Sequence, residues 1–426
     1  MKKTFIHILL LAGLIPFYQS CSSDNTPIQP EPEPEPIILE QSNARIESSG
    51  GEVILTFKSS QEYSIQNHLD WCKVEVEEMN TEEKSEFKSY TLHLLIDESY
   101  IYEDREGYIK IIVANKEYPI QVKQAARTLI IQNLGAFQYE NIKADAKNIH
   151  FDIVYNSTAR VHPHLQNKIF GHQLLDVEEF FIKNEITTLD YDYPTTSFTT
   201  EVGDNFNIFQ NRKPSLELQK EMEKTILKNS SAQSTSFTFS NGKKYYSRKE
   251  LHYAGQIAFN LKLDELMGTS YKKEELKNKV GFIFEYEHLF FSLTSDLPES
   301  KIILPESISE DNIAFISTIY YGKFGYLFVE TDLDNKVEIK SILNKFANKE
   351  VLTSKENEII NASNFGYLKP GIDKYDFIKG IGAINNFYKD SAKPAKELCY
   401  PAKVSLTKAK TLGVYPDFKR SIDFTY

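Results

Sequence analysis

The sequence predicts a mixed fold in two parts, a small immunoglobulin-like β-sandwich over residues 38–126 followed by a larger α+β unit over 127–426. Three observations lead there. The chain is 426 residues long, more than one compact core accommodates, and it is rich in Phe (28) and Tyr (25) but poor in Met (4) and Trp (1), a mix that leans toward β structure. Short strand-like runs recur through 38–126 at sandwich spacing. Farther on, Asn312 to Thr331 is dense in Ile, Phe, Tyr and Val, with Gly322 and Gly325 in its middle. Glycine inside a strand pattern marks a bulge, a bend or a close backbone approach. This stretch therefore reads as two strand halves about a deformable point, with Tyr321, Gly322 and Gly325 as the candidate bend.

The first residues carry an address. Met1-Lys2-Lys3 is a short positive start, followed by the apolar run Phe5 to Phe17 and then Tyr18-Gln19-Ser20-Cys21. This is a secretory signal over 1–20, too short and wrongly flanked for a membrane span. A cysteine directly after a small residue resembles a bacterial lipoprotein signal of the Bacteroidetes type, with Tyr18 and Gln19 in place of the usual Leu and small residue. The expectation is lipidation at Cys21, which anchors without spanning. Residues 21–37 then form a tether in which Pro and Glu alternate from Pro30 to Pro36. Such a segment stays extended and self-repelling, and ten of its residues reach about 30 Å. The expected location is the cell envelope, as an outer-membrane lipoprotein exposed at the surface or in the periplasm, or released.

Within 38–126 the runs are Gly51 to Phe57, Tyr63 to Ile65, Cys72 to Val76, Tyr90 to Ile96, Gly107 to Val113 and Tyr118 to Val122. With Ser49-Gly50-Gly51, the strand-borne Trp71, the Arg105-Glu106-Gly107 turn and the closing Val122-Lys123-Gln124-Ala125-Ala126, the segment resembles the BACON domain. That family's name implies carbohydrate binding. A sugar platform needs exposed aromatics, though, and the one Trp sits beside Cys72 on a strand, a place for a core residue. The residues read as a spacer in preference to a glycan module.

In the larger part, Asn148 to Tyr155 reads as a strand and Ser215 to Leu227, with Pro214 at its start, as an amphipathic helix. His162, His164 and His172 invite a metal reading, but no carboxylate or cysteine cluster accompanies them. A solvated loop is the expectation, with no metal and no cofactor. From Leu251 the pattern alternates: Leu251, Tyr253, Gly255, Ile257, Phe259, Leu261 and Leu263 on one face, polar or small residues on the other. It resumes at Val280, Phe282, Phe284 and Tyr286. A membrane strand needs about 9–11 tilted residues with one apolar face. The run thus fits either arms of a membrane-inserting hairpin or a long soluble β-hairpin covered on one face, and periodicity alone favours the soluble hairpin.

Two further motifs carry a second resemblance. Phe284 to Pro298 resembles the strand of cholesterol-dependent (thiol-activated) cytolysins that reads approximately N-F-K-Q-I-Y-Y-T-V-S-V-D-x-P. Ile316 to Thr331 resembles that family's I-S-S-V-A-Y-G-R-x-V-Y-L-K-L-E-T without a gap, Lys323 standing for its Arg and Gly325 for a Val. The resemblance implies a bent antiparallel central sheet flanked by helices, and large oligomeric rings in which two helical clusters refold into paired hairpins of a β-barrel pore. The first inserting segment would lie between Tyr246 and Val280. The second would lie between Asp332 and Leu368, where Val337, Ile339, Ile342, Leu343 and Phe346 favour an amphipathic helix. No Trp follows Trp71 and Cys399 lacks the neighbours of the family's Trp-rich undecapeptide. The expectation is a cytolysin-like core without the cholesterol-binding last domain.

Function follows from these readings as alternatives. One is a lipidated pore-forming component acting on a target bilayer as a homo-oligomer, or as a hetero-oligomer with a cytolysin-like partner that recognises the membrane. Another is a non-lytic surface lipoprotein binding a glycan, through 38–126, or a protein ligand. A third is an immunity protein capping a cognate pore-former. The formal charge of −11 argues against nucleic acid, and no enzyme motif of the G-x-S-x-G, H-E-x-x-H or Cys–His kind is present.

Overall fold

The structure, a computed structural model, describes residues 35–425 apart from 80–85, 100, 135–136, 145–147, 156–157, 188, 190, 203–204, 230–235, 269–275, 298–311, 395–398, 410 and 413–417. The signal segment and Cys21 lie outside the described residues.

Eight strands build the amino-terminal sandwich: β1 (Ile37–Leu39), β2 (Asn43–Ile46), β3 (Gly51–Ser59), β4 (Tyr63–Asn67), β5 (Cys72–Glu78), β6 (Lys88–Ile96), β7 (Arg105–Val113) and β8 (Lys116–Gln124). They form two sheets, β1-β3-β6-β5 and β2-β8-β7-β4, with β2 parallel to β8. Period-two alternation sends Leu92, Leu94 and Ile96 of β6 and Ile109, Ile111 and Val113 of β7 into the shared core. Gly50 is required by its turn: its φ is +68° and a Cβ would lie 2.5 Å from the Ile96 carbonyl oxygen. Trp71 is half-buried against this core, with the Arg105 guanidinium 4.4 Å from its ring centroid.

The larger part contributes β9 (Phe137–Ala144), β10 (Asn148–Tyr155), β11 (Thr158–Arg160), β12 (Leu174–Asp176), β13 (Thr196–Val202), β14 (Asn205–Arg212), α1 (Leu216–Asn229), β15 (Ser236–Phe239), β16 (Lys243–Tyr245), α2 (Arg248–Phe259) and α3 (Leu263–Met267). It continues with β17 (Val280–Ser295), β18 (Ile313–Thr331), α4 (Lys336–Ala347), α5 (Ser354–Ala362), β19 (Asn364–Pro370), β20 (Tyr375–Lys379), α6 (Gly382–Ala392), β21 (Tyr400–Lys408) and β22 (Phe418–Thr425). β9, β10 and β22 make a small separate sheet. The rest join one large antiparallel sheet built around β17 and β18, which pair from Val280↔Thr331 to Thr294↔Thr318.

Two expectations are corrected. The stretch around Gly322 is not two strand halves: β18 runs unbroken from Ile313 to Thr331. Toward β17 the irregularity sits on the partner, whose register shifts between Leu289 and Phe291, opposite Gly322 and Tyr321; toward β21 the register shifts between Ile316 and Thr318 and between Tyr320 and Tyr321. A bulge bends and twists the strand that carries it, and Gly322 is the residue over which the bulged backbone closes. A Cβ there would lie 1.9 Å from the His288 carbonyl oxygen.

The alternating run 251–263 is not a strand but α2 and α3. Leu251, Gly255 and Phe259 also fall at spacings of four, so the same residues make one helical stripe. Local signals decide between the two periods. Ser247 caps α2 by accepting from the Glu250 amide, and Asn260 ends it with φ +53°. Leu251, Tyr253, Phe259 and Leu263 are buried, while Ile257 and Leu261 are half-buried.

Candidate functional site

Four strands, in the order β16-β17-β18-β19, carry two helical excursions that leave from the same end of the sheet. β16 ends at Tyr245, which pairs with Gly281 at the start of β17. β18 ends beside it, with Thr331 opposite Val280. Glu330 pairs with Asn364, where β19 begins. The first excursion, 246–279, therefore joins two strands already paired antiparallel, and the second, 332–363, does the same. Drawn out as strands, their thirty-four and thirty-two residues would extend the two hairpins in register by arms of roughly 50 Å at the strand rise.

The sheet is apolar on both faces, which is why β18 reads as a near-continuous hydrophobic run. On one face Val280, Phe282, Phe284 and Tyr286 pack with Leu327 and Val329 against Ile339, Ile342 and Leu343 of α4, Ile360 of α5 and Ile384 and Phe387 of α6. On the other, Ile283, Tyr326 and Phe328 meet Leu251, Phe259 and Leu263 of the first excursion. Of the second-segment residues, Val337 projects into solvent at 72% exposure, and Phe346 is half-buried beside the buried Ile339, Ile342 and Leu343. Both excursions thus shield the sheet with apolar side chains.

Polar groups fix the first excursion in place. Arg248 Nη2 lies 3.2 Å from Glu330 Oε2, and its Nη1 donates to the carbonyls of Asp264 (3.0 Å) and Gly268. Asn364 donates both to Glu330 (3.0 Å) and to the Met267 carbonyl (3.1 Å). His252 and Asp264 are 2.8 Å apart and tie α2 to α3. Burial pushes the Glu330 carboxyl up from its ordinary pKa, against the pull of Arg248.

On the opposite face α6 is bolted down through Lys323, whose ammonium donates to the Asp390 and Lys393 carbonyls at the helix end. A cation there also meets the negative end of the helix dipole. Tyr286 and Tyr367 hydroxyls are 2.8 Å apart, and Tyr367 and Lys369 both donate to Asp390, at 3.1 and 2.8 Å. β20, which leads into α6, pairs along the outer edge of β19, with Tyr367 opposite Ile378 and Lys369 opposite Asp376. A five-residue strand therefore blunts one edge of the sheet.

At the bulge, the Tyr321 ring stacks on Phe291 at 4.3 Å, and its hydroxyl donates to Glu223 of α1 (2.5 Å) and accepts from Gln219. Gly325 lies under two rings, where a Cβ would come within 2.7 Å of both Tyr286 and Tyr367. Tyr321, Gly322 and Gly325 thus lie along β18 at and beside the β17 bulge.

The histidines are not on a solvated loop. His162 and His164 are half-buried and bonded to each other, to the Phe259 carbonyl and to the Asn184 carbonyl, while His172 is buried against Phe315, apart from them. Among the described residues no group of three or more His, Cys, Asp or Glu side chains could hold a metal. No helix among them is long and apolar enough to cross a membrane. Sequence reasoning missed the Arg248–Glu330 pair and the β20–α6 clasp. The Ser247-x-x-Glu250 capping signature was the one local sign of the first.

A family model described as "BACON: Putative binding domain, N-terminal" matches residues 61–125. No curated protein matches the chain. Two solved structures of pneumolysin are similar at TM-scores of 0.45 and 0.44. One, "Crystal structure of wild type pneumolysin", is 11% identical and covers 69% of this chain and 69% of its own. The other, "Structure of Sugar Binding Protein Pneumolysin", is 12% identical and covers 70% of this chain and 69% of its own.

Proposed function

We propose that this chain is a pore-forming component of the cytolysin type, in which the excursions 246–279 and 332–363 refold into β-hairpins that extend the central sheet across a target bilayer. The observation that carries the reading is topological: both helical excursions bridge strands already paired, and both leave from one end of the sheet. The alternation of Leu251, Tyr253, Ile257, Phe259, Leu261 and Leu263 supports it, because a run that is helical here has the period of a membrane strand there. Ring assembly would pair sheet edges between copies, or with a cytolysin-like partner, and that requires β20 to leave β19. Lipidation at Cys21 would hold the chain at a membrane surface, and recognition of the target would fall to the partner.

The test is dye release from liposomes by the full chain carrying Lys369→Cys and Asp376→Cys, a pair facing across β19 and β20. Release with rings resistant to sodium dodecyl sulfate under reducing conditions, and neither under oxidising conditions, is the expected result. Monomeric protein and intact liposomes in both states, across lipid compositions and with candidate partners, would favour a non-lytic scaffold instead.

A further inference from the structure

We propose that the sandwich is a latch on the first excursion: its β6–β7 loop and the segment that leaves β8 grip the first turn of α2 and hold that helix on the sheet. That turn is unusual in its chemistry. Ser247, Arg248, Lys249 and Glu250 are all buried, none more than 3% exposed, and charged side chains are rarely so buried unless they are paired. Arg248 is paired within the core, to Glu330. Glu250 takes a partner from the sandwich. Tyr102, in the loop between β6 and β7, donates to Glu250 Oε1 at 2.9 Å, and its hydroxyl lies 2.6 Å from Ser247 Oγ, the atom that caps α2. The second Glu250 oxygen accepts from the Tyr246 amide at 2.7 Å. The Lys249 ammonium stands 5.5 Å from the Tyr102 ring.

The segment that leaves β8 adds a second contact. Arg127, just past β8, lies with its guanidinium 3.5 Å from the Tyr246 ring centroid and its Nη1 2.9 Å from Glu98 in the same β6–β7 loop. The loop and the exit are thus tied to each other, and together to Tyr246, Ser247 and Glu250. The cap of α4 offers the contrast. Asn335 caps it with its own side chain, accepting exposed bonds from the Val337 and Glu338 amides, and among the described residues no sandwich side chain joins that cap. The two helix caps are therefore held differently: among the described residues the sandwich bonds to the cap of α2 and not to that of α4. α2 cannot leave the sheet without stripping Glu250 of its Tyr102 partner, so a ligand or a force that displaces the sandwich loosens α2 first. This consequence rests on the pore reading; the latch itself does not.

The experiment is amide hydrogen exchange on the full chain without lipid, comparing α2 with α4. Tyr102→Phe removes one hydroxyl and keeps the ring. The expected result is exchange about tenfold faster in α2, the scale of one lost hydrogen bond to a charged group, with α4 unchanged. Arg127→Gln, acting through a separate contact, should accelerate α2 as well. In a Glu250→Gln background Tyr102→Phe should have a smaller effect, because the charged acceptor is gone. Unchanged protection of α2 in both single variants, or equal acceleration of α2 and α4, overturns the latch. A chain that permeabilises no vesicle but shows the α2-selective acceleration refutes the pore reading and leaves the latch standing.

Discussion

Arg248 Nη2 and Glu330 Oε2 stand 3.2 Å apart with side chains 4% and 0% exposed, so the first residue of α2 and the penultimate residue of β18 form a buried ion pair. Such a pair adds little over apolar packing, but removing one partner leaves a charge buried. Arg248→Met should therefore cost about 3–5 kcal/mol. The double variant Arg248→Met/Glu330→Leu should recover much of that loss. Denaturant midpoints of the two, at constant m-value, are the check.

Gly322 and Gly382 make a controlled pair of substitutions. An added Cβ at 322 meets the His288 carbonyl oxygen at 1.9 Å, whereas nothing lies within 4 Å of one at 382. Gly322→Ala must push β17 and β18 apart at the bulge and should cost upward of about 3 kcal/mol, in the range of severe overpacking. Gly382→Ala should be neutral or stabilising by about 0.5–1 kcal/mol through the unfolded chain. Thermal unfolding of both would show whether the contrast holds.

Tyr321→Phe tests the bolt between α1 and the bulge. The Tyr321 hydroxyl donates to Glu223, whose carboxyl burial already pushes up from its ordinary value. Without that donor the carboxylate is harder to ionise, at a cost of about 1–3 kcal/mol near neutral pH. A raised carboxyl pKa favours the folded chain at acid pH, and that advantage is lost as pH rises through the folded value. The variant should accordingly be closer to the parent at pH 5 than at pH 7.5. A deficit that did not vary with pH would count against the assigned bond.

His172 should make the chain weaker in acid. Burial lowers its pKa from 6.5 to about 4. Between those values the unfolded chain binds a proton that the folded chain refuses, so stability is present above 6.5 and falls as pH drops toward 4. His172→Asn suits the positive φ of 70° at this position. It should flatten the pH dependence in that window by roughly 1–3 kcal/mol. Glu250 and Glu330, both raised by burial, pull the other way but are common to parent and variant. The difference between the two stability curves isolates His172.

Much of this architecture is legible in the chain itself. Alternation marks every long strand of the sandwich, because one face of each is buried and the period of a strand is two. It does not mark β1 and β2, three and four residues long, which are too short to display a period. Pro214 and the stripe behind it mark α1, and the amphipathic spacing at Ile339, Ile342 and Leu343 marks α4. The run 251–263 shows where pattern reasoning fails: its apolar residues satisfy a period of two and of nearly four at once. The cap at Ser247 and the left-handed stop at Asn260 carry the decision.

What the sequence determined by itself, then, is the order of a sandwich followed by a strand-and-helix core, the long strands of the sandwich, the helices α1 and α4, and the strand motifs on β17 and β18. Each is a local property of spacing and residue type. Tertiary structure alone decided which strand carries the bulge, that Glu330 awaits Arg248 eighty-two residues away, and that Tyr102 of the sandwich reaches the cap of α2. Those relations join residues distant in the chain, and close approach, burial and charge pairing leave no periodic trace along it. Gly322 is the case in small: the sequence marks that the backbone needs room there, and only the folded sheet shows that His288 takes it.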